Sequence, residues 1–158
     1  MNSTNYTFFS TIPPFAQPSC EVSGCFFLFE NRFLLLKRHE DKPQGNTWCL
    51  PAGKKEKHES PLETVIREVQ EEIGYNLMDS SLLEKIGSVY IHFEQNGLIF
   101  HIFGLKLSSQ PEFTLKLDEH TDLCWVDVQQ AKQLNLIMAG IEVLELCHKQ
   151  MIPADLPK

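Results

Sequence analysis

Apolar positions along this chain follow two periods, and the switch between them marks where helices and strands belong. From Ser60 to Gly74 the residues Leu62, Ile66, Val69 and Ile73 recur at spacings of three and four, which predicts a helix with one stripe turned to a core. Ser60-Pro61-Leu62-Glu63 supplies its start: a serine N-cap, proline at the first helical position and a glutamate that closes a capping box. Gly74 supplies the stop. Residues 25–29 (CFFLF) and 33–37 (FLLLK) are apolar runs around Glu30-Asn31-Arg32 and predict two strands joined by a tight turn. Residues 89–93 and 98–107 flank Asn96-Gly97 and predict a second hairpin, with Gly104 at a bulge or a close approach. Residues 123–126 read as one more strand, and Asp127 with Gln130 caps another helix. A last helix is expected over 136–149, apolar at Ile137, Met138, Ile141 and Leu144.

The ends carry less pattern. Residues 1–18 mix Phe8, Phe9, Ile12 and Phe15 with Pro13, Pro14 and Pro18, which predicts an extended arm packed over the domain without regular structure. The folded domain is placed at 19–150 and a short tail at 151–158, where Pro153 and Pro157 end the fold. A chain of 158 residues with 42% hydrophobic and 22% charged residues suits one domain with its own core. Its five cysteines are odd in number and form no CxxC pair, so neither a disulfide framework nor a zinc site is indicated. Net charge of -7 speaks against nonspecific nucleic-acid binding, which rests on Lys and Arg neutralising phosphates. The first basic residue is Arg32 and no apolar run reaches membrane-span length, so a cytoplasmic protein without a membrane partner is expected.

Charge on the central helix changes the picture. Glu68, Glu71 and Glu72 fall within one arc of about 100°, centred about 120° from the apolar stripe. Like charges at such spacings repel by a few tenths of a kcal/mol per pair. Arg67, four residues from both Glu63 and Glu71, offsets part of this. A divalent cation would offset more, and hard oxygen ligands suit Mg²⁺ or Mn²⁺ rather than Zn²⁺. The plain alternative is a solvated acidic face. Elsewhere, Tyr90, His92 and His101 lie on the expected hairpin, where they can stack on a base, contact a phosphate or simply be hydrogen-bonded within the fold.

The stretch GKKEKHESPLETVIREVQEEIGY resembles the Nudix box, G-x5-E-x7-R-E-U-x-E-E-x-G-U with U aliphatic. Gly53, Glu59, Arg67, Glu68, Val69, Glu71, Glu72 and Gly74 stand in register with it, Tyr75 stands where an aliphatic residue is usual, and Ala52 replaces the first glycine of the common Pro-Gly-Gly entry. The resemblance covers roughly residues 22–148 and implies an α/β fold, the α/β/α sandwich with a mixed sheet. It implies a metal-dependent hydrolase of nucleoside diphosphate derivatives, with Mg²⁺ or Mn²⁺ held by Glu68, Glu71, Glu72 and the carbonyl of Ala52. Arg67 would fix the glutamate geometry with support from Glu59. Arg38, at a strand end, stands where relatives deliver a cation to a substrate phosphate, and Trp48 where the family often has a tryptophan that anchors the loop. Glu119, with Asp118 and Asp122 as rivals, resembles a loop acid that completes the metal site or activates water, so either Glu68 or Glu119 is the general base.

The substrate expected is a nucleotide, first a (deoxy)nucleoside triphosphate cut to monophosphate and pyrophosphate. A dinucleoside polyphosphate, ADP-ribose or a nucleotide sugar is the runner-up, and a Nudix-fold module that binds nucleotides without turnover is the reading from another class. Tyr90 and His92 are the substrate contacts expected beside Arg38. Related folds often pair, which makes a homodimer compatible with the resemblance.

Overall fold

The computed structural model describes residues 5–154. Helix α1 (Pro61–Ile73) begins and ends on the residues that the sequence marks for it. Ser60 Oγ accepts from the Glu63 amide at 3.1 Å, and a Glu63 oxygen accepts from the Ser60 amide at 2.7 Å. Gly74 turns left-handed at φ 66° and its amide returns to Gln70 O, the C-terminal cap that glycine makes without a Cβ penalty.

The strands are β1 (Tyr6–Phe9), β2 (Cys20–Phe29), β3 (Arg32–Arg38), β4 (Trp48–Cys49), β5 (Ala52–Lys54), β6 (Glu84–Phe93), β7 (Asn96–Leu107) and β8 (His120–Val126). Among the described residues they form one mixed sheet in the order β1-β6-β7-β2-β3-β4, with β5 paired to β2 and β8 to β3. The β2–β7 pair is parallel, and the others are antiparallel. β2 and β3 pair only beside their turn, Leu28 with Phe33 and Phe29 with Arg32, and then part. Into that fork run β4 against β3 and β5 against β2, which carries the loop before α1 into the middle of the sheet.

Side chains alternate between two apolar layers, as the pleat requires. Cys25, Phe27, Leu34, Leu36, Phe103 and Leu105 pack with Val65, Val69 and Ile73 of α1. Phe26, Leu28, Phe33, Leu35 and Ile102 face the other way, against Val143, Leu144, Cys147 and Met151 of α3 (Gly140–Met151), which follows the single turn α2 (Val128–Ala131) capped by Asp127 and Gln130. Helices on both faces give the α/β/α sandwich. A Cβ on Gly104 would lie 2.6 Å from the Met151 sulfur, so this glycine marks a close approach of helix to sheet.

Four expectations change. The arm expected to lack regular structure contributes β1, which pairs with β6 and is tied to α3 by Tyr6 Oη donating to Glu142 at 2.8 Å. Its Tyr-Thr-Phe-Phe run has the β-branched and aromatic residues that a sheet edge favours, while the prolines lie beyond it. The hairpin turns at Glu94-Gln95, with Glu94 at φ 52°, and Asn96 already pairs with Phe93, so Asn96-Gly97 opens a strand instead of making the turn. The last helix starts at Gly140, not 136. Residues 135–137 instead bond to Trp48, whose amide donates to Asn135 O at 2.8 Å and whose carbonyl accepts from Ile137 at 3.0 Å; Ala139 then turns left-handed at φ 61°. Finally, α3 runs through Met151, into the segment expected as tail. Residues 155–158 of that tail, and residues 1–4 of the arm, lie outside the described residues. None of the described helices is long and apolar enough to cross a membrane.

Candidate active site

The fork in the sheet lets α1 lie directly over β5, and backbone meets carboxylate there. A Cβ built on Gly53 would fall 1.9 Å from the Glu68 carboxyl carbon. The glycine is therefore required by the space that Glu68 occupies. Next to it the Ala52 amide donates to Glu72 Oε2 at 2.9 Å. Gly53→Ala should push the Glu68 carboxylate out of place and lower stability by about 1–3 kcal/mol, the cost of overpacking a filled space; a melting curve checks it, and an unchanged melting temperature would contradict the placement.

Arg67 is the hub of the acidic cluster. Its Nε and Nη2 clasp both oxygens of Glu59, Nη1 donates to Glu68 at 2.8 Å and to Glu71 at 3.2 Å, and Nη2 also donates to the Lys54 carbonyl at 3.0 Å. A planar guanidinium can serve all of these at once, whereas an ammonium cannot. Glu59 also accepts from the Glu56 amide and from Thr64 Oγ1. Hydrogen bonds from Arg67 hold its carboxyl down to about 2.

Glu72 is 3% exposed and Glu68 is nearly as buried. Burial raises the proton affinity of both, most at Glu72, where the neighbouring Glu68 charge adds to it. Arg67 opposes the rise at Glu68; at Glu72 the Ala52 amide and the Arg38 charge oppose it. Glu119 approaches from the opposite side, from the loop before β8, with Lys116 Nζ at 3.0 Å. It brings His120 with it. Glu72, Glu119 and His120 each offer one ligand atom within 4.8 Å of the others. Burial pushes the His120 ring down to about 4, with the Arg38 charge next in effect, so the imidazole is neutral near pH 7, and its buried Nδ1 has no hydrogen-bond partner among the described residues.

The expected residues thus separate into two groups. Glu59, Arg67, Glu68, Glu71, Glu72, Ala52 and Glu119 come together at the fork. Arg38 joins them: its Cα pairs with His120, its Nε donates to Pro43 O at 2.8 Å, and its charge acts on both Glu72 and His120. Of the rival acids, Asp122 is exposed and accepts from the Leu123 amide, and Asp118 is exposed. Tyr90, His92 and His101 lie on β6 and β7, outside the acidic cluster. Tyr90 is 2% exposed beneath Phe9, with ring centroids 6.0 Å apart, whereas His92 is exposed. His120 escaped the sequence reading, although its place beside Glu119 was the available signal.

Two desolvated carboxylates, Glu68 held by Arg67 and Glu72 by the Ala52 amide, with the loop acid Glu119 and an orphaned ring nitrogen beside them, fit a divalent cation in donor type and in charge. The NUDIX domain profile matches residues 20–147. The chain belongs to the Nudix hydrolase family. It is 30% identical over 139 residues to the CTP pyrophosphohydrolase of Escherichia coli, covering 85% of this chain and 97% of the relative. It is 28% identical over 129 residues to the dihydroneopterin triphosphate diphosphatase of Haemophilus influenzae, covering 73% and 77%. Among solved structures, a MutT NUDIX hydrolase of Burkholderia pseudomallei superposes with a TM-score of 0.69 at 25% identity, over 83% of this chain and 98% of the other. This Nudix chain is accordingly an enzyme that acts on nucleotide derivatives, and its family generally works with a divalent metal.

Proposed function

We propose that this Nudix hydrolase is a Mg²⁺-dependent nucleoside triphosphate pyrophosphohydrolase that releases a nucleoside monophosphate and pyrophosphate. The observation that carries the reading is the buried carboxylate cluster at the fork, where Glu68 and Glu72 are desolvated and Glu119 faces them. Two relatives aligned over most of their length are named for action on triphosphates, a CTP pyrophosphohydrolase and a dihydroneopterin triphosphate diphosphatase, which supports this substrate class over dinucleotides.

Glu68, Glu71, Glu72 and Glu119 would hold the metal, with the Ala52 backbone lining it. A bound divalent ion offsets polyphosphate charge and lowers the pKa of water. Glu72 is aimed by the Ala52 amide, and Glu68 by Arg67, so neither must find its position at the moment of reaction. Glu68 is our choice of general base. Its burial raises its proton affinity, which suits a group that takes a proton and later returns it, whereas Glu119 is ion-paired to Lys116. Arg38, at the rim beside Glu72, would receive a phosphate.

Turnover of a nucleotide panel, read as inorganic phosphate with added pyrophosphatase, tests the proposal. Triphosphates should be turned over with Mg²⁺ and not in EDTA, with phosphate appearing only when pyrophosphatase is present. Cleavage of ADP-ribose or diadenosine polyphosphates in preference to all triphosphates would overturn the substrate class. No metal-dependent turnover of any nucleotide would overturn the mechanism.

A further inference from the structure

A second polar array lies on the same face of the sheet, away from the fork. Gly53 on β5 pairs with Ser23 on β2, Ser23 with His101 on β7, and His101 with Ser88 on β6. These form one row across the pleat, starting beneath Glu68. Ser23 and His101 each precede by two residues a side chain under α1, Cys25 and Phe103. Alternate residues share a face, so the row points to the side on which α1 packs, where it extends past the helix. Adjacent strands lie about 4.8 Å apart, which places His101 about 10 Å from Gly53, room for a ribose and its first phosphate.

The row is a connected hydrogen-bond chain. Ser88 Oγ lies 2.7 Å from His101 Nδ1, and His101 Nε2 lies 2.9 Å from Glu21 Oε1. Glu21 is braced from the other side by Lys55 Nζ at 3.6 Å, on the loop that leads from Gly53 to Glu59. His101 is 8% exposed, while Ser88 and Glu21 are only half-buried. The fully buried Ser23 hydroxyl, in the middle of the row, has no hydrogen-bond partner among the described residues. Tyr90 stands two residues beyond Ser88 on the same face, with Phe9 against it and Phe15 edge-on to Phe9 at 5.6 Å. Phe15 is 67% exposed, an apolar ring at the outer end of the aromatic run from Tyr90 through Phe9.

We propose that Glu21, His101 and Ser88 form the floor of the nucleobase subsite, that Phe15 and its neighbours supply the stacking wall, and that the site takes a base with an exocyclic amino group. This rests on the nucleotide reading of the fork. The direction of the bonds selects the base. A carboxylate only accepts, so in the neutral ring His101 carries its proton on Nε2 and donates it to Glu21. Nδ1 then accepts from Ser88, whose oxygen is left as an acceptor. Both accessible ends of the chain therefore ask for a donor. Cytosine, adenine and guanine present an amino group; uracil and hypoxanthine present a carbonyl at the corresponding edge, which would face a carboxylate unpaired.

The test compares bases that differ at that edge, CTP with UTP and ATP with ITP, by kcat/KM under Mg²⁺. The wild type should favour CTP over UTP and ATP over ITP by about 10-fold or more, the discrimination of a good base contact. Glu21→Gln, which keeps the shape and turns one acceptor into a donor, should shrink or invert these ratios, and Ser88→Ala should reduce them should the first variant fold poorly. Equal kcat/KM within each pair, or a loss in Glu21→Gln that is the same for both members, overturns the subsite. Titration of CMP and UMP onto the wild type in EDTA separates this from the fork: equal binding of the two sinks the subsite even if no triphosphate is hydrolysed. Tighter binding of CMP, lost in Glu21→Gln, supports it whatever the fork does.

Discussion

Glu72→Gln should abolish metal-dependent turnover and at the same time raise the melting temperature of the metal-free protein. The two effects have one origin. Glu72 is buried against the Ala52 amide, where water cannot solvate a charge and Glu68 repels one, so burial raises its proton affinity. Glutamine keeps the acceptor for Ala52 and removes the charge. A carboxyl whose folded pKa lies above its unfolded one withdraws stability as pH rises through the folded value and restores it as pH falls towards the unfolded one, about 4.5. The gain from glutamine is therefore largest near pH 7.5, about 1 kcal/mol or 2–4 °C in a chain of this size, and fades as the pH is lowered towards 4.5. His120 acts in the opposite sense, since a ring held at about 4 costs stability as pH drops below its unfolded value, and the substitution leaves that loss in place. Activity should fall by more than the 10–100-fold that loss of an outer partner of a metal ligand costs. Melting curves in EDTA at pH 7.5 and 5, beside turnover in Mg²⁺, measure both; a Glu72→Gln protein that stays active, or that melts earlier at pH 7.5, removes the basis for placing a cation at the fork.

Arg67→Lys should reduce turnover about 100-fold, with the remaining activity needing more Mg²⁺. Lysine keeps the charge but can reach only one or two of the groups that Arg67 now serves, namely Glu59, Glu68, Glu71 and the Lys54 carbonyl. Glu68 and Glu71 then lose their fixed spacing, so the loss should lie in kcat and in the metal concentration for half-maximal rate rather than in KM for the nucleotide. Acid unfolding supplies a second readout. Glu59 is held down to about 2 by Arg67, so it contributes stability above the unfolded carboxyl pKa that disappears as pH falls towards 2. With that bond weakened, the acid midpoint should move to higher pH. Wild-type kcat with an unaltered Mg²⁺ response would show that Arg67 does no more than neutralise its neighbours.

What could be read from the chain beforehand follows the range of the interactions involved. The caps of α1 are local, Ser60 with Glu63 and Gly74 with Gln70, and they stand where the sequence puts them. The spacing of Arg67 among the glutamates is also local, so the cluster was legible as a cluster. Sheet pairing is not local: β2 lies parallel to β7 across more than seventy residues, and no turn residue announces it. Tyr90 and His92 read alike in sequence, and only the arrival of β1 buries one of them. The prolines at 13, 14 and 18 masked the strand before them, and the bonds to Trp48 drew residues 136–137 away from the helix that their apolar pattern suggested. His120 stood next to Glu119 and could have been read with it, whereas the chain from Ser88 through His101 to Glu21 depends on contacts between distant strands, of which a single histidine in a β-run gives no warning.

The strand Tyr6–Phe9 borders β6 at the rim of the sheet, and the same stretch sets Phe9 and, through it, Phe15 beside the proposed base site. Solubility and selectivity thus share one short piece of backbone. Trimming it would bare the unpaired amides of β6 to a neighbouring molecule and at the same stroke take Phe9 away from Tyr90.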